Sequence, residues 1–552
     1  MSDNNIITLG KPYDEIPNIS VGELFSKALR QLDPEFICAI DANTDTKLTA
    51  NELITKCNAL AMALIERGIT ESDLILTFAE NTIELVVVLF TAVLLGVTLY
   101  PITPIANVYE LEKLFETLNS VVVFTSQSKS QIINKILGNN TSKSNVKSVF
   151  IIDGTFDNYV TFDELLKEGL NKNLPQIPYF EVKDPEKEIF LILQSSGTTG
   201  VPKSTLLSHK AFVASIYSMI NSGMNFDEFA EHPKFGHITP FGCITGMTFL
   251  YGYICCGVSV VTFRHYNEEL IMKSIEKYKI NFIMIVPAFG PLLVSGPLVD
   301  KYDLSSLGFV YTGGAHFPEC TAKAIIAKYG VKFQEVYGMT EYCGTLTHVP
   351  DLEVCGQYIA GNLGRPAKNT QMKIRDLTTG ESLGPNIDGE ICVRGPKLFS
   401  GYLNNPLATK EAIDSEGWLR TGDMGHYDEK HRFFITDRLK ELIKFGTKQV
   451  SPTEVEQFLL THKCVAEVAV VGVRHETQSQ WVRAYVKVRD GMTVTEEELK
   501  KYVSDNLNDA KLLRAGVVFV DRIPRTTVGK VDRRYFKQLI ADQIIKSNSF
   551  DN

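Results

Sequence analysis

Two scarcities restrict what this 552-residue chain can do. Its ten cysteines are scattered, with no CxxC pair and no Cys/His cluster at zinc-binding spacing, so the sequence predicts free thiols in a reducing compartment. Basic residues are also relatively few. The sequence has 56 Lys and Arg but 65 Asp and Glu, so its net charge is −9. A nucleic-acid partner held through its phosphates is therefore not expected.

Charge itself is missing from two long stretches, residues 85–108 and, apart from His237, residues 235–263. Both are long enough to suggest a membrane span. The first contains Gly96, Pro101 and Pro104 and the second is rich in glycine, so we interpret both as buried helix–strand units and expect no stable membrane insertion.

The two ends of the chain are polar. The N-terminal residues MSDNNIITLGKPYDE lack the basic and apolar segments of a signal peptide. The C-terminal residues SNSFDN differ from the S-K-L peroxisomal signal. These features favour a cytoplasmic location.

The length predicts at least two domains, because a single core rarely extends over this many residues. Helical periodicity alternates with short β-rich runs along the first 350 residues, which predicts a doubly wound, mostly parallel sheet. The predicted helices cover 21–32, 51–67 and 209–220, and the predicted strands cover 74–78, 121–124, 148–152, 189–193, 282–286 and 309–312.

The later part of the chain changes character. Residues 355–437 are β-rich, with strands predicted at 371–375, 389–393 and 432–435. Residues 441–552 form a small α+β unit, with helices predicted at 454–460 and 496–507 and strands at 465–473, 482–488 and 517–520. The predicted fold class is therefore α/β, with a large N-terminal domain, a β-rich subdomain and a small C-terminal domain.

A turn rich in glycine and hydroxyl groups follows the predicted strand at 189–193. Glycines let backbone N–H groups converge on an anion, and Ser and Thr hydroxyls add donors, so the turn suits a phosphate. It is not a Walker A loop, because Pro202 stands where the second glycine is required. The candidate phosphate-binding residues are Ser195, Ser196, Gly197, Thr198, Thr199 and Lys203.

The complete string S-S-G-T-T-G-x-P-K resembles the nucleotide loop of the adenylate-forming superfamily, which includes 4-coumarate–CoA ligase, other acyl- and aryl-CoA ligases, and the beetle luciferases. The resemblance extends over residues 20–540. It implies ATP, Mg²⁺ and coenzyme A as cofactors, and a small-molecule carboxylic acid as the partner. Ser204 is a departure, since the family usually has glycine after the lysine.

The run EVYGMTEYCGT at 335–345 resembles the Y-G-x-T-E motif of this family. The resemblance implies that Tyr337 stacks on adenine beside Gly338, that Thr340 contacts a phosphate and that Glu341 binds Mg²⁺, which prefers oxygen ligands. Gly314 and Ala315, which close the predicted strand at 309–312, are further candidates for the nucleotide site. Glu335 and Val336 depart from the usual Gln-Gly, which we expect to alter the groups near the adenine and the acid.

The run GWLRTGD ends in Asp423, whose carboxylate would accept hydrogen bonds from both ribose hydroxyls. Arg438 would hold ribose or phosphate oxygens, and Lys440 corresponds to the family's hinge. We therefore predict an adenylation domain at 1–437, a hinge at 438–440 and a mobile lid domain at 441–552.

Two lysines of the small domain match family motifs. Lys530 ends P-R-T-T-V-G-K and is expected to neutralise charge on the α-phosphate and the attacking carboxylate. Lys444 opens KFGTKQV, where relatives have K-(Y/F)-K-G-x-Q-V along the coenzyme A passage; Gln449 is retained. Arg264 lies where relatives place a basic residue near coenzyme A.

The largest departure is PFGCITG at 240–246, where many relatives have a His–His or aromatic–His pair that shapes the acyl gate. Gly242 and Cys243 take those places. We interpret Cys243 as a small packed thiol rather than a nucleophile, because no His or Asp partner is spaced near it.

The resemblance implies a two-step ligase that makes an acyl-adenylate and then a thioester with coenzyme A, using one lid for both steps. Two alternatives stay open. Departures around the acyl and coenzyme A paths would also fit a nucleotide-binding protein with little catalysis. The altered KFGTKQV string would fit an adenylating enzyme with another acceptor, either oxygen or a carrier-protein thiol.

Overall fold

The structure is a computed structural model that describes residues 5–8, 16–106, 108–138, 145–157, 159–171, 180–195, 203–221, 224–314, 317–348, 358–445, 448–475, 479–525 and 531–548. Its helices are α1 Val21–Gln31, α2 Ala50–Glu66, α3 Ile83–Leu95, α4 Val108–Phe115, α5 Gln127–Gly138, α6 Phe162–Leu170, α7 His209–Ile220, α8 Ile244–Cys255, α9 Glu268–Tyr278, α10 Gly290–Val294, α11 Glu319–Tyr329, α12 Pro406–Ala412, α13 Pro452–Leu460, α14 Glu496–Ser504 and α15 Arg533–Asn548.

The strands are β1 Ile7–Thr8, β2 Ile37–Asp41, β3 Lys47–Thr49, β4 Leu74–Phe78, β5 Thr98–Ile102, β6 Val121–Thr125, β7 Val146–Ile151, β8 Val160–Thr161, β9 Ile189–Ser195, β10 Lys203–Ser208, β11 Lys234–His237, β12 Ser259–Thr262, β13 Phe282–Ile285, β14 Phe309–Gly313, β15 Lys332–Val336, β16 Gly338–Met339, β17 Gly344–Thr345, β18 Thr347–His348, β19 Arg365–Pro366, β20 Gln371–Arg375, β21 Gly389–Arg394, β22 Gly401–Tyr402, β23 Leu419–Tyr427, β24 Phe433–Arg438, β25 Ile443–Phe445, β26 Lys448–Val450, β27 Val465–His475, β28 Ser479–Val488 and β29 Val517–Phe519.

Two large sheets form the N-terminal domain and confirm the predicted fold class. One has the strand order β22-β10-β9-β5-β4-β6-β7-β8, and the other has the order β15-β14-β13-β11-β12-β2-β3. Both are parallel over most of their width. The exceptions lie near their edges, where β9–β10, β10–β22 and β2–β3 pair antiparallel. Strands β9 and β10 flank the Gly/Thr-rich run in the sequence.

Apolar helices pack between these sheets. Helix α3 has Val, Leu and Phe on every face and is almost entirely buried, because Phe90 packs against Phe25 of α1 and Tyr251 of α8. This burial explains the charge-free stretches at 85–108 and 235–263 without a membrane. Among the helices of the described residues, none combines the length and the hydropathy that crossing a bilayer requires.

The β-rich region is an antiparallel sheet with the order β1-β20-β21-β23-β24. The strands predicted at 371–375 and 389–393 are confirmed as β20 and β21, but the strand predicted at 432–435 is longer and runs from Phe433 to Arg438. Strand β23 passes through the GWLRTGD motif, so Asp423 lies within a strand rather than at a turn. Strand β23 also has a β-bulge next to Gly425, which an alternating sequence pattern does not predict.

The C-terminal domain has its own sheet, in which the long hairpin β27–β28 pairs with β25 and β29. Helices α13 and α14 cover it and confirm the two predicted helices. Helix α14 begins at a capping box between Thr495 and Glu498 and ends at Ser504, three residues before the predicted end at 507. Val455, Leu459, Leu499 and Val503 supply the buried faces of the two helices.

Candidate active site

Three residues from separate motifs meet at the carboxyl end of β15. Tyr337 follows this strand, and its hydroxyl donates to Oδ2 of Asp423 at 2.7 Å. Arg438 pairs with the other oxygen of the same carboxylate, with 2.9 Å between Nε and Oδ1. Strands β23 and β24 place Asp423 and Arg438 directly opposite each other. We call these three residues the Asp423 cluster.

Two members of the Asp423 cluster, Arg438 and Tyr337, have shifted pKa values. The Asp423 carboxylate raises the pKa of Arg438, with smaller contributions from Tyr337, Glu441 and Glu341. Burial raises the pKa of Tyr337 well above its usual value, so its hydroxyl stays a donor. A carboxylate has about four acceptor positions and two are occupied here, so Asp423 can still accept from a diol.

A second group lies where β10 pairs with β22. The Tyr402 hydroxyl donates to Oε1 of Glu341 at 2.9 Å. Nζ of Lys203 lies 4.7 Å from the centroid of the Tyr402 ring. Lys203 and Glu341 are predicted site residues. Tyr402 is not, because an aromatic residue after a glycine matches no recognisable sequence motif. We call these three residues the Tyr402 cluster.

The predicted phosphate turn lies between two strands that pair with each other. Ser195 ends β9, Lys203 begins β10, and the two are opposite each other in the antiparallel ladder. In the sequence, residues 196–202 lie between these two strands. The predicted ligands within this stretch, Ser196, Gly197, Thr198 and Thr199, lie outside the described residues.

Ser204 has a structural explanation. Its hydroxyl is 2.7 Å from the hydroxyl of Tyr100 on the neighbouring part of the sheet. Burial raises the pKa of Tyr100 to about 12. This departure from the family pattern is thus used in a hydrogen bond inside the protein.

Glycines shape the edge between the two clusters. Gly314 follows β14 with φ of +78°, a conformation that favours glycine. At Gly338, a methyl group would lie 2.7 Å from the carbonyl oxygen of Gly344 in the β16–β17 hairpin. Both predicted positions therefore need glycine for backbone reasons, and the neighbouring Ala315 lies outside the described residues.

Thr340 and Glu341 belong to a short 3₁₀ turn at Thr340–Tyr342, directly after β16. A buried lysine lies behind this turn: Nζ of Lys397 donates to the Thr345 carbonyl oxygen at 2.5 Å and lies 5.1 Å from the Tyr342 ring centroid. Burial lowers the pKa of Lys397 to about 8. No sequence motif marks Lys397, because its burial depends on contacts with Tyr342 and Thr345, more than 50 residues away in the chain.

The structure gives the Glu335 carboxylate a structural role. Oε1 accepts from the Tyr358 hydroxyl at 2.9 Å and from the Gly361 amide at 3.3 Å. Burial raises its pKa above the usual value for Glu. The carboxylate therefore ties strand β15 to residues 358–361.

Gly242 and Cys243 immediately precede α8. A methyl group on Gly242 would lie 2.5 Å from the backbone nitrogen of Thr103, so no side chain fits there. The Cys243 thiol donates to the Pro240 carbonyl at 3.1 Å and accepts from the Gly246 amide at 3.4 Å as the N-cap of α8. Burial raises the pKa of Cys243 to about 11. These contacts match the interpretation of a packed thiol, because a nucleophile needs the thiolate.

In the C-terminal domain, Lys444 and Gln449 are paired opposite each other in the β25–β26 hairpin, and Lys444 is exposed. Lys440 is also exposed, in the turn that follows Arg438. Lys530 lies outside the described residues, as do Gly446 and Thr447.

The residues that flank Lys530 are described and well held. Arg525 and Val531 form an antiparallel β-bridge. Arg533 pairs with Glu456 at 2.6 Å and also with Glu441. Burial raises the pKa of Glu456 to about 7, although Arg533 opposes that shift. These pairs connect the start of α15 to α13 and to Glu441, the residue after the predicted hinge.

Arg264 is engaged inside the N-terminal domain. Its Nε and Nη2 atoms both lie 3.0 Å from Oδ2 of Asp41, and Nη1 lies 3.8 Å from Asp153. The side chain keeps 27% exposure. It could therefore offer only part of its guanidinium to a ligand.

Comparisons with known proteins identify the family of this chain. Residues 26–403 match the family model of the AMP-binding enzyme, and residues 454–530 match that of the AMP-binding enzyme C-terminal domain. The chain is 32% identical to a luciferin 4-monooxygenase of Nipponoluciola cruciata, over 99% of each chain. It is 31% identical to 4-coumarate-CoA ligase 1 of Narcissus pseudonarcissus, over 91% of each.

Among solved structures, that of ATP-bound MatB from Rhodopseudomonas palustris superimposes with a TM-score of 0.83 and 24% identity. The match covers 94% of this chain and 99% of that one. This likeness supports the fold.

Proposed function

We propose, from the premise that this chain belongs to the AMP-binding enzyme family, that it is an ATP-dependent acid–thiol ligase. It would activate a carboxylic acid as an acyl-adenylate and then transfer the acyl group to coenzyme A. A 4-coumarate-CoA ligase among its relatives supports the choice of acceptor.

The observation that carries the proposal is the meeting of two clusters across one short hairpin. Tyr337 of the Asp423 cluster and Glu341 of the Tyr402 cluster are four residues apart, and Glu341 contributes to the raised pKa of Arg438. One side offers a carboxylate and a guanidinium suited to a ribose. The other offers Lys203 beside a glycine- and hydroxyl-rich turn.

In the first half-reaction, an oxygen of the acid attacks the α-phosphate of ATP, and pyrophosphate leaves. The protein's task is placement and charge neutralisation, because phosphoryl chemistry needs little else. Asp423 and Arg438 would hold the ribose, Tyr337 would lie along the adenine and Lys203 would neutralise the leaving phosphates. Lys530 would neutralise the α-phosphate and the attacking carboxylate.

Glu341 fits a magnesium ion. Oε1 accepts one hydrogen bond from Tyr402, which orients the carboxylate while leaving further lone pairs. Mg²⁺ is usually held by one or two carboxylates together with substrate phosphates. When bound, the ion would neutralise phosphate charge.

In the second half-reaction, the thiol sulfur attacks the acyl carbon and AMP leaves. The C-terminal domain would rotate about residues 438–440, which withdraws Lys530 and brings Lys444 and Gln449 to the cleft. The exposed position of Lys440 supports a hinge there. Arg264 would contact coenzyme A with the part of its guanidinium that Asp41 leaves free.

Lys530→Ala tests this assignment. We expect adenylation, measured as pyrophosphate release, to slow by at least about 10²–10³, the effect of losing one positioned charge donor. Thioester formation from supplied acyl-adenylate should lose much less. The matched control is Lys500→Ala, which removes a C-terminal-domain lysine paired with Glu496 on α14. Equal losses in both half-reactions would contradict the two-position lid.

A second acceptor is favoured by one specific observation, the 32% identity to a luciferin 4-monooxygenase. Oxygen would then replace the thiol after adenylation. Incubating the enzyme with ATP and acid, with and without coenzyme A, separates the two by mass. Acyl-CoA formation supports the ligase, whereas adenylate that is consumed only with oxygen supports the alternative.

A further inference from the structure

We propose that Tyr402 is a positioning residue that serves two charged groups of the site at once. Its hydroxyl orients the carboxylate of Glu341 for Mg²⁺, and its ring holds the ammonium group of Lys203 for the phosphates of ATP. The inference rests on the proposed function, which brings those ligands to Glu341 and Lys203. It adds a residue that acts through these two groups.

The register of one strand pair brings the ring of Tyr402 to Lys203. Strand β22 pairs antiparallel with β10, and Tyr402 lies directly opposite Thr205. Lys203 comes two residues before Thr205 on β10, so both side chains are on the same face of the sheet. Diagonal neighbours of this kind are within reach of an aromatic ring and a long side chain. The distance of 4.7 Å between Nζ of Lys203 and the ring centroid shows that this contact is made.

A ring restrains the lysine without neutralising it. The face of an aromatic ring attracts a cation through its quadrupole and carries no net charge. A carboxylate in the same place would place a negative charge where phosphate has to approach, and it would occupy N–H donors of the ammonium group. The contact with Tyr402 therefore leaves Lys203 with its full charge for phosphate.

The hydroxyl of the same side chain reaches Glu341, which is 61 positions away in the chain. It donates to Oε1 at 2.9 Å. The backbone of Glu341 is held by the same segment, because the amide of Phe399 donates to its carbonyl oxygen at 3.0 Å. Partners that orient a metal-binding carboxylate typically contribute about 10–100-fold to metal affinity. Tyr402 has the position of such a partner.

Tyr402 is itself firmly held. Its backbone amide donates to Oγ1 of Thr409 on α12 at 2.9 Å. The next residue, Leu403, donates to the carbonyl oxygen of Ser204 at 2.8 Å. The ring packs against that of Phe399, with centroids 4.9 Å apart. A side chain fixed on both its backbone and its ring can preorganise the groups that it contacts.

The protein contains a matched arrangement of a tyrosine, a carboxylate and a lysine at the end of α9. The Tyr278 hydroxyl donates to Oδ1 of Asp45 at 2.8 Å, and Nζ of Lys277 lies 4.9 Å from the Tyr278 ring centroid. Lys277 also forms an ion pair with Asp45 at 2.8 Å, so its charge is already compensated inside the protein. Neither cluster of the candidate site includes these residues, which makes Tyr278 the control for Tyr402.

The test is calorimetric binding of α,β-methylene-ATP, an analogue that cannot release pyrophosphate, to the full-length protein in Mg²⁺ and in EDTA. The ratio of the two Kd values reports the contribution of the metal. Tyr402→Phe removes only the hydroxyl, and we expect the ratio to fall about tenfold while the Kd in EDTA stays the same. Tyr402→Leu also removes the ring and should in addition raise the Kd in EDTA about two- to fivefold.

A second substitution shows whether the hydroxyl acts through Glu341. In a Glu341→Gln background, Tyr402→Phe should lower the ratio no further, because the carboxylate that it orients is gone. Tyr278→Phe and Tyr278→Leu should leave the ratio and the Kd in EDTA unchanged. Thermal unfolding of each variant checks that it is folded, and Tyr402→Phe decides the role of the hydroxyl even where the leucine variant does not fold.

Several results would overturn the inference while leaving the proposed function standing. These are an unchanged ratio in Tyr402→Phe, equal changes of both Kd values in that variant, or additive effects of Tyr402→Phe and Glu341→Gln. Equal binding by the unmodified protein in Mg²⁺ and in EDTA would overturn it as well. No binding of the analogue under either condition would overturn the proposed function, and the inference with it.

Discussion

The two sides of the proposed cleft are built in different ways. On the nucleotide side, the Asp423 and Tyr402 clusters consist of polar side chains that contact one another at 2.7–2.9 Å. The packing between β14 and α8 consists instead of apolar rings, with the Tyr311 centroid 4.2 Å from that of Phe309 and 6.3 Å from that of Phe249.

The difference follows from what each side must bind. A nucleotide presents the same ribose and phosphates to every member of such a family, and hydrogen bonds to these groups demand fixed donors and acceptors. An acid tail demands only volume and apolar surface, which many side-chain combinations supply. The nucleotide side can therefore be recognised from sequence motifs, whereas the acyl side can be recognised only from the tertiary structure.

The largest expected effect is on the nucleotide side. Asp423→Asn keeps the volume but removes the charge that faces Arg438 and Tyr337. We expect ATP affinity, measured by calorimetry, to fall about tenfold to a hundredfold, the usual range for a hydrogen bond to a charged group. Asp428→Asn, at the turn end of the same hairpin and paired with Arg432, is the control. Unchanged ATP affinity in Asp423→Asn would contradict the ribose assignment.

A smaller effect is expected on the stability of the folded protein at acid pH, through one buried histidine. His237 is fully buried beside Phe235 and Phe241, and burial lowers its pKa from 6.5 to about 3. Between pH 6.5 and 3 the unfolded chain binds a proton that the folded chain does not, so stability falls as the pH falls. The slope is about 1.4 kcal/mol per pH unit, or about 2 kcal/mol between pH 6.5 and 5.

Urea denaturation of His237→Leu checks this dependence. The leucine variant should lose the His237 part of the acid slope, whereas His232→Leu, at an exposed position, should keep it. An acid slope equal to that of the unmodified protein in His237→Leu would show that another group is responsible.

The smallest effect concerns a departure on the nucleotide side. We expect the Ser204–Tyr100 hydrogen bond to contribute about 0.5–1.5 kcal/mol to stability and nothing to catalysis. A double-mutant cycle of Ser204→Ala and Tyr100→Phe in urea measures that coupling. A Ser204→Ala variant with normal stability but slower pyrophosphate release would instead place this hydroxyl on the substrate.

Much of the fold could be predicted from local patterns. The strands at 74–78 and 371–375 are confirmed with the same bounds, because each is a short run flanked by turn residues. The sequence pattern did not predict strands β10 and β23, because Ser204 and Gly422 interrupt it. Both strands form by pairing with neighbouring strands. The helix predicted to reach residue 507 ends at Ser504, which reflects the poor definition of helix termini in sequence.

For the site, the motifs predicted Asp423 and Arg438, which form an ion pair, and Glu341 and Lys203, which both contact Tyr402. They could not reveal Tyr402 or Lys397, whose roles depend on partners far away in the chain. Ser204 and Glu335 are departures that only their partners explain: Tyr100 and Tyr358 use the hydroxyl and the carboxylate inside the protein.

The sequence alone determined the family, the α/β class and the polar groups that would face a nucleotide, because these follow from residue types at short spacing. Tertiary structure decided which of those groups share a carboxylate and which departures are structural. Such properties depend on distances between strands and helices that are remote in sequence. The contact of Tyr402 with Glu341, for example, joins residues 61 positions apart.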